Sequence, residues 1–233
     1  MGTHLSLALG RKTDAVSVPS RTLEGLRTGS DLYVICVSDS AIREVAGRIA
    51  RVIPQDRILA HTSGTTPLSA ISDVYPRTGV LYPMQTFSKE VALDYADIPF
   101  FIEGSDARVL SELRRAAAFV SGNVTEADSA ARRDLHIASV LSCNFVNHLW
   151  TLAYDYLESK GMSFDLMVPL VRETVRKISR VSPPEAQTGP AVRRDAATIG
   201  SHLEALSGNR ELYELYRVMS ESIIARHHNN QNT

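Results

Sequence analysis

His136, Ser139, Cys143, Asn147 and Trp150 recur at steps of three and four residues, which puts them on one face of a helix with Asn144 and His148 beside them. An imidazole that titrates near neutral pH can donate a proton, and a neighbouring carboxamide can orient a carbonyl or carboxylate. The same stripe also suits a packed helix interface in which every polar group finds a partner. A metal centre is not expected: His148 has no second His, Cys or carboxylate at close ligand spacing, and His136 with Asn144 forms no recognised zinc pattern.

Three polar segments each follow an apolar run: Ser38-Asp39-Ser40, His61-Thr62-Ser63-Gly64 and Tyr82-Pro83-Met84-Gln85-Thr86-Phe87. In an open α/β sheet the carboxyl ends of the strands line the ligand crevice. Taken singly, each segment reads as a turn or helix cap; three in succession point to a site. Ser20-Arg21 follows the alternating Ala15-Val16-Ser17-Val18. A hydroxyl and a guanidinium there suit the 2′-phosphate of NADP, whereas NAD selection uses an acidic residue; an ordinary surface arginine in a loop is the other reading. Gln187-Thr188-Gly189-Pro190, with Arg193 and Asp195 following, is a polar loop that either lines a cleft or only connects helices.

Positioning these groups requires strands alternating with helices. Leu5, Leu7, Ala8 and Leu9 read as the end of a short helix closed by Gly10, and Ala15 to Val18 as a strand. Leu32 to Val37 is a continuous apolar run, as expected of a parallel strand buried on both faces, and Ile42, Val45, Ala46 and Ile49 follow at helical spacing. Ile58-Leu59-Ala60 and Val80-Leu81-Tyr82 read as further strands around a helix over 67–74, and Pro99 to Ile102 as one more. Ser105 is placed to cap a helix whose Val109, Leu110, Leu113, Ala117 and Val120 form one stripe. The expectation is a largely parallel α/β sheet. Past residue 125 the pattern turns helical. No proline or glycine falls between Asp128 and Lys160, and Gly161 ends a helix of about 45 to 50 Å at roughly 1.5 Å per residue. Further helices are expected over 165–181, 196–207 and 211–226, with frayed residues 227–233 at the end. The division read from this pattern is an α/β domain over 1–125 and an all-helical domain over 126–233.

Composition excludes several classes. The net charge is -1, from 25 Lys plus Arg against 26 Asp plus Glu, and no stretch concentrates basic residues, so nucleic acid is not an expected partner. The apolar runs are strand-sized and far below the roughly 20 residues a membrane helix needs. Met1-Gly2-Thr3-His4-Leu5 shows no secretory signal. Two distant cysteines, Cys36 and Cys143, each in an apolar pattern, suit packed, reduced thiols and a cytoplasmic setting.

The combination of these segments with Pro99-Phe100-Phe101-Ile102-Glu103, Leu135-His136, Cys143-Asn144-Phe145-Val146-Asn147-His148 and Ala186-Gln187-Thr188-Gly189-Pro190 resembles a known family over nearly the whole chain. It is the Rossmann-like oxidoreductases labelled deazaflavin-dependent NADP-oxidoreductase-like, with a helical C-terminal domain of unknown function. They are similar to pyrroline-5-carboxylate reductases and 6-phosphogluconate dehydrogenases. The resemblance implies a Rossmann-like first domain, a 6-phosphogluconate-dehydrogenase-like helical second domain, and dimerisation through the helical part. It also implies NADP(H) as cofactor, faced by Gly2, Thr3, Ser20, Arg21, Ser38, Asp39 and His61. A small substrate would lie near Gln85, Asn147, Gln187 and Thr188. His136 is the implied general acid, with Asn144 and Ser63 as orienting donors.

The family opens with a strand and a Gly-x-Gly-Asn-x-[Gly/Ala]-Thr-His-Leu turn, and this chain begins inside that motif. The resemblance therefore implies a sheet lacking its first strand, with unpaired backbone groups on the neighbouring strand and weakened cofactor binding. The chain is expected to be truncated relative to a working enzyme. Two functions fit: an NADP-dependent oxidoreductase acting on a small carbonyl or imine substrate, or on a deazaflavin, and a non-catalytic dinucleotide-binding or dimeric scaffold that keeps the fold without the reaction. In the scaffold, the stripe Leu212, Leu215, Met219 and Ile223 would bury area between subunits.

Overall fold

The structure, a computed structural model, describes residues 2–87 and 94–228. Met1 and, of the tail expected to fray over 227–233, residues 229–233 lie outside the described residues. The chain forms two compact units, Met1–Phe145 and Val146–Thr233. The division falls later than 125/126 because the first helix beyond residue 125 is bound into the sheet unit.

Five strands make one sheet in chain order: β1 (Leu32–Ile35), β2 (Ile58–His61), β3 (Thr78–Pro83), β4 (Phe100–Gly104) and β5 (Val124–Glu126). β1, β2 and β3 run parallel, β4 is antiparallel to β3, and β5 is parallel to β4. The expected parallel sheet is thus mixed, because the chain leaving Pro83 re-enters the sheet at the same end, with Phe100 opposite Pro83. β5, whose three residues include two exposed ones, carries no apolar run and goes unseen in the sequence.

β1 to β4 are largely apolar because both faces are covered. On one face Leu5 and Ala117 pack with Ile58, Ala60, Leu81 and Phe100. These bring in α1 (Gly2–Gly10) and α4 (Ala107–Ala118). On the other, Tyr33, Ile35 and Leu59 meet α2 (Ile42–Ile49) and α3 (Ser69–Ser72). The stripe expected for α4 is present, with Val109, Leu113 and Ala117 fully buried. Its cap is Asp106, which accepts the Val109 N–H at 2.9 Å, and not Ser105, whose Oγ instead accepts the Thr78 N–H at 3.2 Å.

Ala15 to Val18 is not a strand, although its alternation suits one, because no neighbouring strand pairs with it. It lines a trough of about 870 Å³ together with Leu5, Tyr33, Val34 and Cys36. The carbonyls of Asp31 and Ile35 accept from the Ile58 and Thr62 amides, so odd-numbered residues of β1 point their backbone groups at β2. Leu32, Val34 and Cys36 therefore present theirs to the trough. The unpaired edge expected of a sheet without its first strand is located here.

The helical run after Asp128 is interrupted without a proline or glycine. α5 (Ser129–Ser139) gives way to a π-helical stretch over Val140–Asn144 and then to α6 (Phe145–Glu158). The second unit continues with α7 (Val168–Ile178), α8 (Pro183–Ala186), α9 (Ala196–Ala205) and α10 (Arg210–His228). Among its described residues only Ala191 and Ser220 are buried, while Trp150, Tyr154, Leu166, Leu170 and Met219 are exposed. No helix is long and apolar enough to cross a membrane among the described residues.

α5 is held to the sheet by a buried ion pair. The side chain of Arg132 has no exposed surface, and its Nη1 pairs with the Glu103 carboxylate on β4. Nε donates to the Ser63 carbonyl at 3.1 Å and Nη2 to the Thr66 carbonyl at 2.6 Å. Ser129 Oγ donates to the Glu103 carboxylate and accepts the Leu68 N–H at 3.0 Å. Arg132→Met strands a carboxylate and two carbonyls together, so the folded state should lose about 3 to 5 kcal/mol in urea denaturation. A loss below about 1 kcal/mol would show that the pair is dispensable.

Candidate active site at the carboxyl edge of the sheet

Because β1, β2 and β3 are parallel, the segments that follow them emerge at one edge. After β1, Ser38 precedes a 3₁₀ turn over Asp39–Ala41. Asp39 Oδ2 accepts the Thr65 hydroxyl at 2.6 Å, joining this turn to the loop after β2. In that loop Ser63 Oγ accepts the amides of Thr65 and Thr66 at 3.1 and 2.8 Å. Ser63 thus shapes the turn with its oxygen, and its hydroxyl lies 3.5 Å from the Thr65 hydroxyl, which gives its own hydrogen to Asp39 and so can accept that of Ser63.

The centre of the loop is Gly64. A Cβ on it would stand 2.8 Å from Tyr82 Cζ and 2.9 Å from His136 Nδ1, so only glycine lets the backbone lie against these two side chains. Tyr82 Oη is 3.2 Å from His136 Nδ1, and the rings meet edge-on at 63° with centroids 6.2 Å apart. Burial pushes the Tyr82 phenol above its ordinary range, with the facing Ser139 and Arg132 acting in the opposite sense, so it stays protonated at neutral pH. His136 is half-buried on α5. A buried phenol against a half-exposed imidazole can hold and deliver a proton at the edge where a substrate would lie.

His61 does not belong to the contact surface. It is fully buried in β2, its Nδ1 accepts the Ser63 N–H at 3.2 Å, and its Nε2 makes no hydrogen bond although it faces the Pro67 carbonyl. Its expected place among the cofactor contacts is corrected: the apolar run of β2 extends through it. Gln85 is exposed and turns its Oε1 back on the Thr86 amide at 2.8 Å. Asn144 is exposed in the π-helical stretch, and so is Cys143, which corrects the expectation of a packed thiol there. Cys36 is the partly buried one, and burial pushes its thiol up.

Gly2 opens α1 against the end of β1, where an added Cβ would lie 3.1 Å from Cys36 Cβ, and Thr3 beside it is exposed. Ser20 and Arg21 do not end a strand; their carbonyls accept the Arg48 guanidinium of α2 at 3.0 and 2.5 Å, leaving the Arg21 side chain exposed. Asn147, Gln187 and Thr188 belong to the second unit, where Gln187 Nε2 donates to the Thr188 carbonyl at 3.2 Å. No group of three or more metal-ligating side chains occurs among the described residues.

The structure thus brings Ser63 and His136 together, with Asp39 linked to them through Thr65. Sequence reasoning missed Gly64, Tyr82, Glu103 and Arg132 as the residues that build the cluster. The available signal was Tyr82 itself, a phenol ending an otherwise aliphatic strand. For a dinucleotide, the fit lies in the start of α1 packed at the carboxyl end of β1, with Ser38 and Asp39 two and three residues beyond Cys36.

Burial, then the Arg132 charge, pushes His61 down to about 4. A histidine whose pKa is lower folded than unfolded contributes stability above about pH 6.5 that is lost as pH falls towards 4. Wild-type stability should fall by about 3 kcal/mol across that window. His61→Gln should flatten the fall in pH-dependent urea denaturation, and an equally steep fall in that variant would assign it to other groups.

Residues 98–223 match the family described as Domain of unknown function (DUF2520). Among solved structures, a Bacteroides fragilis protein named as a candidate NADP oxidoreductase is 39% identical, with a TM-score of 0.82 over 87% of this chain and 78% of that one. Protein TM1727 from Thermotoga maritima is 20% identical, with a TM-score of 0.71 over 89% of this chain and 82% of that one. A reductive aminase from Aspergillus terreus, in complex with NADPH and ethyl levulinate, is 13% identical, with a TM-score of 0.68 over 97% and 90%. The last two likenesses are of fold: a Rossmann-like α/β unit with a helical part after it. No curated protein matches the chain. With more than half its length matched, and 39% identity to a relative over 87% of the chain, this protein belongs to the DUF2520 family.

Proposed function

We propose that this protein is an NADP-dependent oxidoreductase that moves a hydride to or from a small carbonyl or imine substrate, or a deazaflavin, with His136 as the general acid. The observation that carries this reading is the Tyr82–His136 pair packed on Gly64 at the carboxyl edge of the parallel strands. The 39% identical relative named as a candidate NADP oxidoreductase supports the cofactor class. NADPH, when bound, supplies the hydride. Gly2 and Thr3 at the start of α1 and the Ser38–Asp39 turn would hold the dinucleotide, and Ser20 with the exposed Arg21 the 2′-phosphate. His136 keeps a proton at the reacting oxygen or nitrogen, while the Ser63 hydroxyl and Asn144 orient that group. Gln85 completes the substrate contacts of the first unit in this reading.

The helical unit leaves apolar side chains uncovered along α6, α7 and α10, and we assign their cover to a second copy of the chain, in a reducing cytoplasmic setting. The same observation favours the alternative, a dimeric scaffold without the reaction. Sedimentation equilibrium should give twice 25.6 kDa. A folded monomer at micromolar concentration would contradict the dimer.

Titration with NADPH and NADH, followed by nicotinamide fluorescence, tests the function. Saturable, NADPH-preferring binding is expected, and His136→Ala should lower turnover about 100-fold with NADPH affinity nearly unchanged. Equal losses in both would remove His136 from the chemistry, and a dimer that binds neither nucleotide would favour the scaffold.

A further inference from the structure

His136 makes its one side-chain hydrogen bond among the described residues through Nδ1, to Tyr82. A neutral imidazole carries its proton on one nitrogen only, and the bond made by one nitrogen decides what the other can do. We infer that Tyr82 is a positioning residue: its hydroxyl donates to His136 Nδ1 and so fixes the Nε2–H tautomer, making the free side of the ring a donor. For its catalytic consequence, though not for its geometry, this rests on the reading of His136 as general acid.

Three observations carry the direction of that bond. The phenol keeps its hydrogen at neutral pH because it is buried, with only 6% of its surface exposed. The neighbouring Ser139 Oγ has committed its own hydrogen to the His136 carbonyl at 2.8 Å, so it cannot donate to the phenol. It remains an acceptor for it, but an aromatic ring nitrogen is more basic than an alcohol oxygen and is the stronger acceptor. Gly64 then permits the geometry, since a Cβ in its place would stand 2.8 Å from Tyr82 Cζ and 2.9 Å from His136 Nδ1 and force the two side chains to shift. A substrate at the exposed nitrogen would meet a hydrogen-bond donor, which suits a carbonyl oxygen or an imine nitrogen and disfavours a protonated amine. The neutral ring keeps its Nε2–H, since releasing it would leave an imidazolate: the N–H polarises the carbonyl or imine by a hydrogen bond as the hydride arrives, and the proton that forms the new O–H or N–H bond comes from solvent.

Long-range ¹H–¹⁵N correlation spectra of histidine-labelled protein, at a pH where the imidazole is neutral, read the tautomer directly. His136→Gln assigns the signals. The expected wild-type pattern is a bare Nδ1 and a protonated Nε2. In Tyr82→Phe, which keeps the packing ring, the two tautomers should mix, and turnover should fall about tenfold with NADPH affinity unchanged. A wild-type spectrum with the proton on Nδ1, the phenol then passing its hydrogen to Ser139, overturns the inference even if no variant folds. So does a tautomer that Tyr82→Phe leaves untouched. If the tautomer is as inferred and no carbonyl, imine or deazaflavin is turned over, the positioning role stands and the oxidoreductase reading fails.

Discussion

A guanidinium without exposed surface must be satisfied from inside the protein, and Arg132 meets that demand with three partners on two separate segments at once. Its partners are the Glu103 carboxylate on β4 and the carbonyls of Ser63 and Thr66 in the loop after β2. A buried charge left unpaired costs several kcal/mol, so these contacts have to form together or not at all. The consequence is geometric. α5 cannot leave the sheet without exposing the pair, and the loop that carries Gly64 cannot relax without taking two acceptors from the guanidinium.

His136 and Tyr82 inherit their placement from this arrangement. His136 lies four residues, about one turn, past Arg132 on the same helix, and Tyr82 lies on the fully buried β3. The cluster therefore stands on the most deeply packed part of the sheet, while Asp39 and Thr65 join the turns at its edge. Sites built on strands and helices hold their geometry better than sites built on loops alone. The loop is shaped from within as well, by Ser63 turned onto two following amides.

Much of this architecture is legible in the sequence where burial is uniform. Leu32 to Val37 reads as a doubly covered strand because helices cover both faces of its strand part, Leu32–Ile35, and the α4 stripe reads correctly because Val109, Leu113 and Ala117 all point into one core. Legibility fails where a partner decides the outcome. Ala15 to Val18 has strand chemistry but no strand beside it. The antiparallel β4 looks like any apolar strand, because direction is not encoded in side-chain type. The π-helical stretch is invisible to a count of prolines and glycines. At the site, His136 is recognisable as a polar residue at helical spacing, whereas Arg132, on the same helix, looks like a surface arginine until Glu103 is brought to it across 29 positions. His61 misleads in the opposite direction, since a histidine at a strand end suggests contact with a ligand and here serves only the turn.

The unpaired edge of β1 sets a gradient of local stability across the sheet. β3 is hydrogen-bonded on both sides and buried at every position, while β1 has a ladder on one side only and a trough on the other. Local opening costs least where backbone hydrogen bonds are fewest, so on this half of the sheet opening is easiest at β1 and is resisted progressively towards β3. The candidate dinucleotide contacts at Gly2, Ser38 and Asp39 sit at the pliant end of that gradient, and the Tyr82–His136 pair at the stiff end. Nucleotide capture and proton handling would then belong to parts of one sheet that breathe on different timescales.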